Sequence, residues 1–389
     1  MKDSPFSTPS DARWLRALLR TSVFVFAVGL LGTLTGPKAA WAQLEGPSLR
    51  SVQRPVSVAV DPTYQVYETE GGRQLTEFST RLSMFVPVTS RLTVRARGEY
   101  ARMDGTRLTS VGGGTDISGQ VSFAQPVADG SVVFSLQANA PTGKQKLSDA
   151  ELETTRFISQ NVYDFRVSSF SRGFSLAPRV TWAVPLSDRF AVGLGAGYQY
   201  QRGFRPQASL EEEYVPGDGV GANGGFDYKI TEASALGLDV AYRWYQTDQV
   251  GGVPRFDSGS RLTGTVRYLR RSGFTTIRAV VRYANWEESE FGFQRQSSSR
   301  GQVLPPHGMV LTSYETRLAE GMRLHLRASG HWYGETIQDS PMGNRKLLGR
   351  AYVSPSFEIG EVLTLEPHGT ASFGSYRGYG GGLRVIGTF

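Results

Sequence analysis

Hydrophobic positions recur every second residue over runs of about ten residues, and short polar turns separate the runs. Leu236, Leu238, Val240, Tyr242 and Trp244 alternate with Gly237, Asp239, Ala241 and Arg243. Met322, Leu324, Leu326, Ala328 and Trp332 alternate with Arg323, His325, Arg327 and His331, and Leu92, Val94, Ala96 and Tyr100 with Thr93, Arg95, Arg97 and Glu99. Phe190, Val192, Leu194, Ala196 and Tyr198 are interleaved with Gly193, Gly195, Gly197 and Gln199. Successive side chains of a strand point to opposite faces, so each run predicts a strand with one apolar face and one polar or small face. Seven tight turns, at 87–91, 126–130, 185–189, 231–234, 270–273, 319–321 and 360–361, join such strands in pairs. Longer Gly, Ser and Asp-rich stretches lie between the pairs, at 104–115, 142–172, 203–221, 248–258, 286–306 and 334–346. The seven turns account for fourteen strands, and one more at each end, 55–68 and 379–389, makes sixteen. Pro62 stands inside the first of these, and a proline has no N–H to give to a ladder; without that hairpin the count is fourteen.

Short turns alternating with long loops define an all-β, transmembrane antiparallel barrel, with the turns in the periplasm and the loops outside. Aromatic placement tests the register. In strands running away from the turns, outward aromatics fall near the far end: Tyr100, Tyr198, Tyr242, Trp244, Tyr283 and Trp332. In returning strands they fall near the turn: Phe123, Trp182, Tyr228, Tyr268 and Phe357. Two belts at fixed heights are what interface-seeking aromatic rings produce. A soluble β-sandwich explains the alternation but not the belts.

Composition removes other classes. Mean hydropathy of −0.27 excludes a bundle of membrane-spanning helices. The absence of cysteine excludes a disulfide scaffold and thiolate metal sites. The first residues form an address: Arg13, Arg16 and Arg20, an apolar run over 21–34, then Ala40-Trp41-Ala42. This is the layout of a secretory signal peptide cleaved after residue 42, leaving a short periplasmic segment, 43–54, before a barrel over 55–389. The net charge of +7 then falls to about +4, and it rests on 36 arginines against six lysines.

The chain ends with Leu383, Val385 and Phe389 on alternate positions. This resembles the terminal signal of Gram-negative outer-membrane proteins, apart from Gly387, which stands where a bulky residue is usual. The resemblance implies an outer-membrane location, contact with lipid and lipopolysaccharide, and handling by the barrel-assembly machinery.

A sixteen-stranded wall encloses water, so the inward face is where function is written. Strands ten to thirteen place Arg261, Arg267, Arg278, Arg282, Arg317, Arg323 and Arg327 inward, with His325 and His331 and a single acid, Glu315. Arg267, Arg278, Arg317 and Arg323 are expected to cluster near the turns, opposite Glu77, Glu99, Asp227 and Asp239. The functional reading is an anion-favouring wall, and the alternative is a salt-bridged lining without selectivity. The longest loop, 142–172, carries a capping box at Ser148-Asp149-Ala150-Glu151, which predicts a short helix. Its position as third outer loop is similar to that of the constriction loop of general porins, and Asp149, Glu151, Glu153 and Asp164 are its candidates for facing the arginines.

Other chemistry finds less support. Glu211 to Gly219 is acidic but lacks the spacing of a calcium loop. Ser329 and His331 stand two apart, in the reverse order of the outer-membrane phospholipase pair, and His325 and His331 are too far apart on a strand for one metal. No enzyme, cofactor or nucleic-acid partner is expected. The leading reading is a diffusion channel for small solutes. The stretches 140–144 and 214–218 resemble loops of the long-chain fatty acid and aromatic-hydrocarbon transporter family, which implies carriage of hydrophobic compounds. That family has fourteen strands and an N-terminal plug with an Asn-Pro-Ala motif that 43–54 lacks. A structural or adhesive barrel is the third class.

Overall fold

The computed structural model describes residues 55–68, 72–158, 165–291, 299–301, 305–335 and 346–389. The signal peptide, the segment 43–54 and Asp164 lie outside the described residues. Sixteen barrel strands follow the alternation: β1 (Ser57–Glu68), β2 (Gln74–Pro87), β3 (Leu92–Gly105), β4 (Ile117–Val127, with an outer piece Val111–Gly114), β5 (Gly130–Ala140), β6 (Ser175–Ser187), β7 (Phe190–Gln201) and β8 (Gly219–Thr231). The second half comprises β9 (Ser234–Tyr245), β10 (Arg261–Ser272), β11 (Thr275–Trp286), β12 (His307–Ala319), β13 (Met322–Tyr333), β14 (Lys346–Ile359), β15 (Leu363–Gly374) and β16 (Arg377–Thr388). Each pairs antiparallel with its sequence neighbours, and β1 pairs with β16, which closes the barrel.

All seven tight turns are present, six of them where the sequence places them; the one expected at 270–273 shifts to Gly273-Phe274, because Arg270 to Ser272 stay in the ladder. Gly273 and Gly321 adopt φ of 56° and 67° in two of them, a left-handed conformation that costs a glycine little. Pro62 does not break the first hairpin. It faces outward, keeps its place opposite Thr80, and is accommodated because the β1–β16 ladder omits two residue pairs, between Val60↔Val385 and Thr63↔Gly382. Pro355 and Pro367 act in the same way on β14 and β15, where pairing lapses between Val353↔Gly369 and Phe357↔Leu365. The last strand starts at Arg377, two residues earlier than expected. Beyond its end, Phe389 exchanges two backbone hydrogen bonds with Val56, at 2.9 and 3.0 Å, so the terminal residue belongs to the closing seam.

The aromatic belts are present. Tyr100, Tyr198, Tyr242, Trp244, Tyr283 and Trp332 are exposed at loop ends, and Phe123, Trp182, Tyr228 and Phe357 at turn ends. The loops add two features. Helix α1 (Asp149–Ile158) forms in the loop after β5, and Ser148 and Glu151 complete its capping box: Ser148 N–H donates to Glu151 Oε2 at 3.0 Å. Five short strands, at Tyr214–Val215, Asp248–Val250, Val253–Asp257, Ser289–Phe291 and Ser299–Gly301, form a small sheet over the loop ends of β7 to β12.

This register makes a direct demand on β9. Val240 and Tyr242 face out, whereas Asp239 faces in and pairs with Arg267. Val240→Arg is expected to cost about 2–4 kcal/mol near mid-bilayer, and Ala241→Arg much less. Unfolding titrations in lipid vesicles measure both, and equal costs contradict the register.

Candidate functional site

The inward positions supply the charged groups, and pairing decides what they can do. On β10, Arg267 is 4% exposed and reaches two acids, Asp227 of β8 at 3.3 Å and Asp239 of β9 at 2.9 Å. It does so across Gly237, whose bare backbone lies between Asp227 and Arg267 in register. A Cβ there would sit 2.5 Å from Asp227 Oδ1 and 3.0 Å from Arg267 Nη2. Arg278 of β11 pairs with Glu315 of β12 at 3.4 Å, and His325 of β13 lies 3.4 Å from the other oxygen of that carboxylate. Arg323 pairs with Glu358 of β14 at 2.8 Å. Arg317 stands directly opposite Arg323 and lies over the Phe274 ring, with Nε donating to Ala319 O at 3.2 Å.

The four arginines expected to form one cluster are therefore divided. Arg267 and Arg278 sit diagonally on neighbouring strands, and Arg317 and Arg323 form a separate pair at the rim. Asp227 and Asp239 are not opposed across the lumen but are Arg267's own neighbours. Glu99 lies with Arg81 and Arg97, at 2.7 and 3.7 Å. Strand adjacency, which a sequence alone does not fix at this detail, is the reason.

The remaining arginines of the expected wall have no carboxylate at ion-pair distance among the described residues. Arg282 donates to Thr265 Oγ1 at 3.4 Å, Arg327 lies over Tyr352, and Arg261 lies over Trp286. Arg179, Arg243 and Arg350 also point inward at the loop end; sequence reading did not single them out, although the alternation on β9 already marks Arg243 as inward. His331 connects Ser329 and His307: Ser329 Oγ lies 3.0 Å from Nε2, and His307 Nε2 lies 3.3 Å from Nδ1, with Tyr333 stacked on His307. No group of three or more His, Asp or Glu side chains converges as a metal site among the described residues.

The third outer loop turns inward. Phe165, Val167 and Phe170 are buried against inward residues of β1 to β3 and β14, among them Tyr67, Leu75, Met103 and Leu348. Backbone N–H groups of Arg166 and Val167 donate to the two oxygens of the buried Glu77, at 3.2 and 3.1 Å. Arg166 itself pairs with Asp61 of β1 at 3.1 Å. Asp116, in the break between the two parts of β4, holds both ends of the loop. It accepts from Gly143 N–H at 3.0 Å and from Arg172 N–H at 2.7 Å. Gly143 has to be glycine here, since a Cβ would lie 2.0 Å from Phe170 O.

The acids expected on this loop play a different part. Asp149 accepts from Gln207 and Ser209 of the next loop, at 2.7 and 2.8 Å, and Glu151 is taken by Ser148 and Lys144. Glu153 is exposed. None of the three pairs with an arginine of the wall, because the helix that carries them lies against β3 and β4 and the following segment enters the lumen. The stretch 211–219 is likewise built into the loop sheet: Gly217 N–H donates to Asp248 Oδ1 at 2.7 Å, and Asp218 accepts from Gln201 N–H at 2.8 Å.

By sequence, no protein family and no curated protein matches the chain. Solved structures do. An outer membrane channel from Pseudomonas putida F1 matches with TM-score 0.39 and 12% identity over 86% of this chain and 96% of that one. The outer membrane protein OprD from Pseudomonas aeruginosa gives 0.40 and 10% over 86% and 94%. OccAB4 from Acinetobacter baumannii gives 0.44 and 8% over 86% and 98%. At these identities the likeness is one of barrel architecture and assigns no solute. The closed sixteen-stranded barrel and its apolar, aromatic-belted exterior make the chain a porin-like β-barrel of the outer membrane.

One titration lies outside the membrane-spanning strands. Burial in the loop sheet pushes the Asp248 carboxyl from its ordinary 3.8 to about 7, and hydrogen bonds from Tyr214 and Gly217 oppose this only in part. The folded sheet thus holds the proton more tightly than the opened loop, so its stability is greatest below about pH 4 and is lost as pH rises through 7. Amide protection factors over 248–257, with the intrinsic base-catalysed rate divided out, are expected to fall between pH 5 and 8, and Asp248→Asn to flatten that dependence. A flat profile in the unaltered protein contradicts this assignment.

Proposed function

We propose that the chain is an outer-membrane channel through which small solutes diffuse, with a preference for anions. The observation that carries the reading is the imbalance of the inward wall. Arg267, Arg278 and Arg323 have acids beside them, but Arg261, Arg282 and Arg327 rest on rings or a hydroxyl. Charge fixed on a wall of low dielectric constant concentrates counter-ions in the water it encloses. His325 adds to this face beside Glu315. The segment 165–172, held by Asp116 and Glu77, acts in this reading as the constriction. Its basic contribution at the constriction comes through Arg172, since Arg166 is paired with Asp61 and Phe170 is buried, and the acidic one that Asp149, Glu151 and Glu153 suggest is not made there.

Purified protein in a planar bilayer is expected to conduct, and Asp116→Ala, which frees both ends of the loop, to conduct more per channel. Unchanged conductance in that variant means that the loop does not limit flow. A barrel closed in every salt, with lipid bound in the purified protein, replaces this reading with the transporter of hydrophobic compounds. A closed barrel without lipid points to a structural role.

A further inference from the structure

At the loop end of the wall, three arginines share a row that contains no acid. In register, Arg179 of β6 faces Gly197 of β7, Gly197 faces Gly221 of β8, Gly221 faces Arg243 of β9, Arg243 faces Arg261 of β10, and Arg261 faces Trp286 of β11. The two glycines keep the floor of this row clear. A Cβ on Gly197 would lie 2.7 Å from Arg179 Cγ, and one on Gly221 would lie 3.5 Å from Arg243 Nε. Both side chains therefore lie toward each other over bare backbone, as Arg267 and Asp227 do over Gly237. The difference is that like charges meet here: Arg179 and Arg243 repel, and so do Arg243 and Arg261.

The row also holds unused donors. Arg261 is 3% exposed, yet its Nε and Nη1 have no hydrogen-bond partner, and neither does Nη1 of Arg243. None of the three arginines has an ion-pair partner among the described residues. Buried guanidinium N–H groups without acceptors are costly, and an anion removes both that cost and the mutual repulsion. The planar fork of an arginine matches the two coplanar oxygens of a carboxylate. Beside the row the buried rings of Tyr245 and Trp286 stack at 5.8 Å and 20°, Arg261 lies over the Trp286 ring, and the Tyr245 hydroxyl stands among the arginines, so the row is bordered by aromatic groups.

We propose that the Arg179–Arg243–Arg261 row is a binding station for a small organic carboxylate, its oxyanion held over Gly221 and its body beside the aromatic border of Tyr245 and Trp286. The proposal relies on the channel reading for the passage of that solute but not for its binding, so the two are separable by experiment.

The test is calorimetric titration of the full-length protein, folded in detergent, with sodium benzoate, and with sodium phosphate and chloride at matched ionic strength. Saturable binding of benzoate is expected, weakened about tenfold or more in Arg243→Gln and in Arg261→Gln. Arg384→Gln, which removes a charge paired with Glu366 near the β15–β16 turn and outside the wall, is expected to bind as the unaltered protein does. Gly221→Asp guards against misfolding as an explanation: its Cβ meets only ordinary contacts, and its carboxylate would occupy the station from within. This variant is expected to lose benzoate binding while keeping the heat-modifiable migration of a folded barrel. No saturable binding, or unaltered affinity in all three row variants, overturns the station. Phosphate or chloride binding as tightly as benzoate overturns the assignment to organic acids. Binding as described by a protein that does not conduct leaves the station in place and removes the channel reading alone.

Discussion

The backbone has nowhere but itself to hydrogen-bond inside a bilayer, and the rest of this structure depends on meeting that demand. A sheet with open edges would leave a column of N–H and C=O groups in hydrocarbon, so the sheet closes. β1 meets β16, and Phe389 carries the seam to the last residue. Four prolines well inside barrel strands strain the rule, and the barrel absorbs each of them. Pro62, Pro178, Pro355 and Pro367 face outward, a ladder beside each skips two or three residue pairs, and Ser354 Oγ donates to the carbonyl of Pro367 at 3.0 Å. Closure then forces every second side chain inward, and those positions are where the chain keeps its arginines.

An interior made in this way has to handle charge at close quarters. Along the turn half it does so by adjacency, with an acid one or two strands from each of Arg267, Arg278 and Arg323. Glycine is part of the mechanism, since Gly237 lets Arg267 and Asp227 meet over a strand that a larger residue would block. Along the loop half the same device brings arginines together without acids. The infolded segment completes the interior from the other side. Its backbone N–H groups are satisfied by Glu77 and Asp116, as a chain crossing the lumen requires, and Phe165 and Phe170 fill space between the strand ends.

Much of this was legible in the sequence because the governing period is two. Strand number, the seven turns, the aromatic belts and the inward placement of Arg261, Arg267, Arg278, Arg282, Arg317, Arg323 and Arg327 all follow from alternation and turn residues. The capping box at Ser148 and Glu151 located its helix for an equally local reason. What stayed hidden depends on neighbours distant in sequence. Asp227 and Asp239 read as acids somewhere on the wall, and only the pairing of β8, β9 and β10 puts them on Arg267. The third loop reads as a candidate constriction by its place in the chain, but that residues 165–172 are the part that enters has no periodic signature; it rests on Asp116 and Gly143, an ordinary Asp and Gly in a loop until Phe170 O is seen against them. Gly197 and Gly221 read only as small inward residues, and register makes them the floor between Arg179 and Arg243.

The central claim is that the enclosed water is held against a wall of net positive charge. The zero-current potential of the protein across a planar bilayer under a potassium chloride gradient tests it most directly. The account predicts anion preference at low salt, fading as rising salt shortens the Debye length. Cation preference at low salt would contradict it.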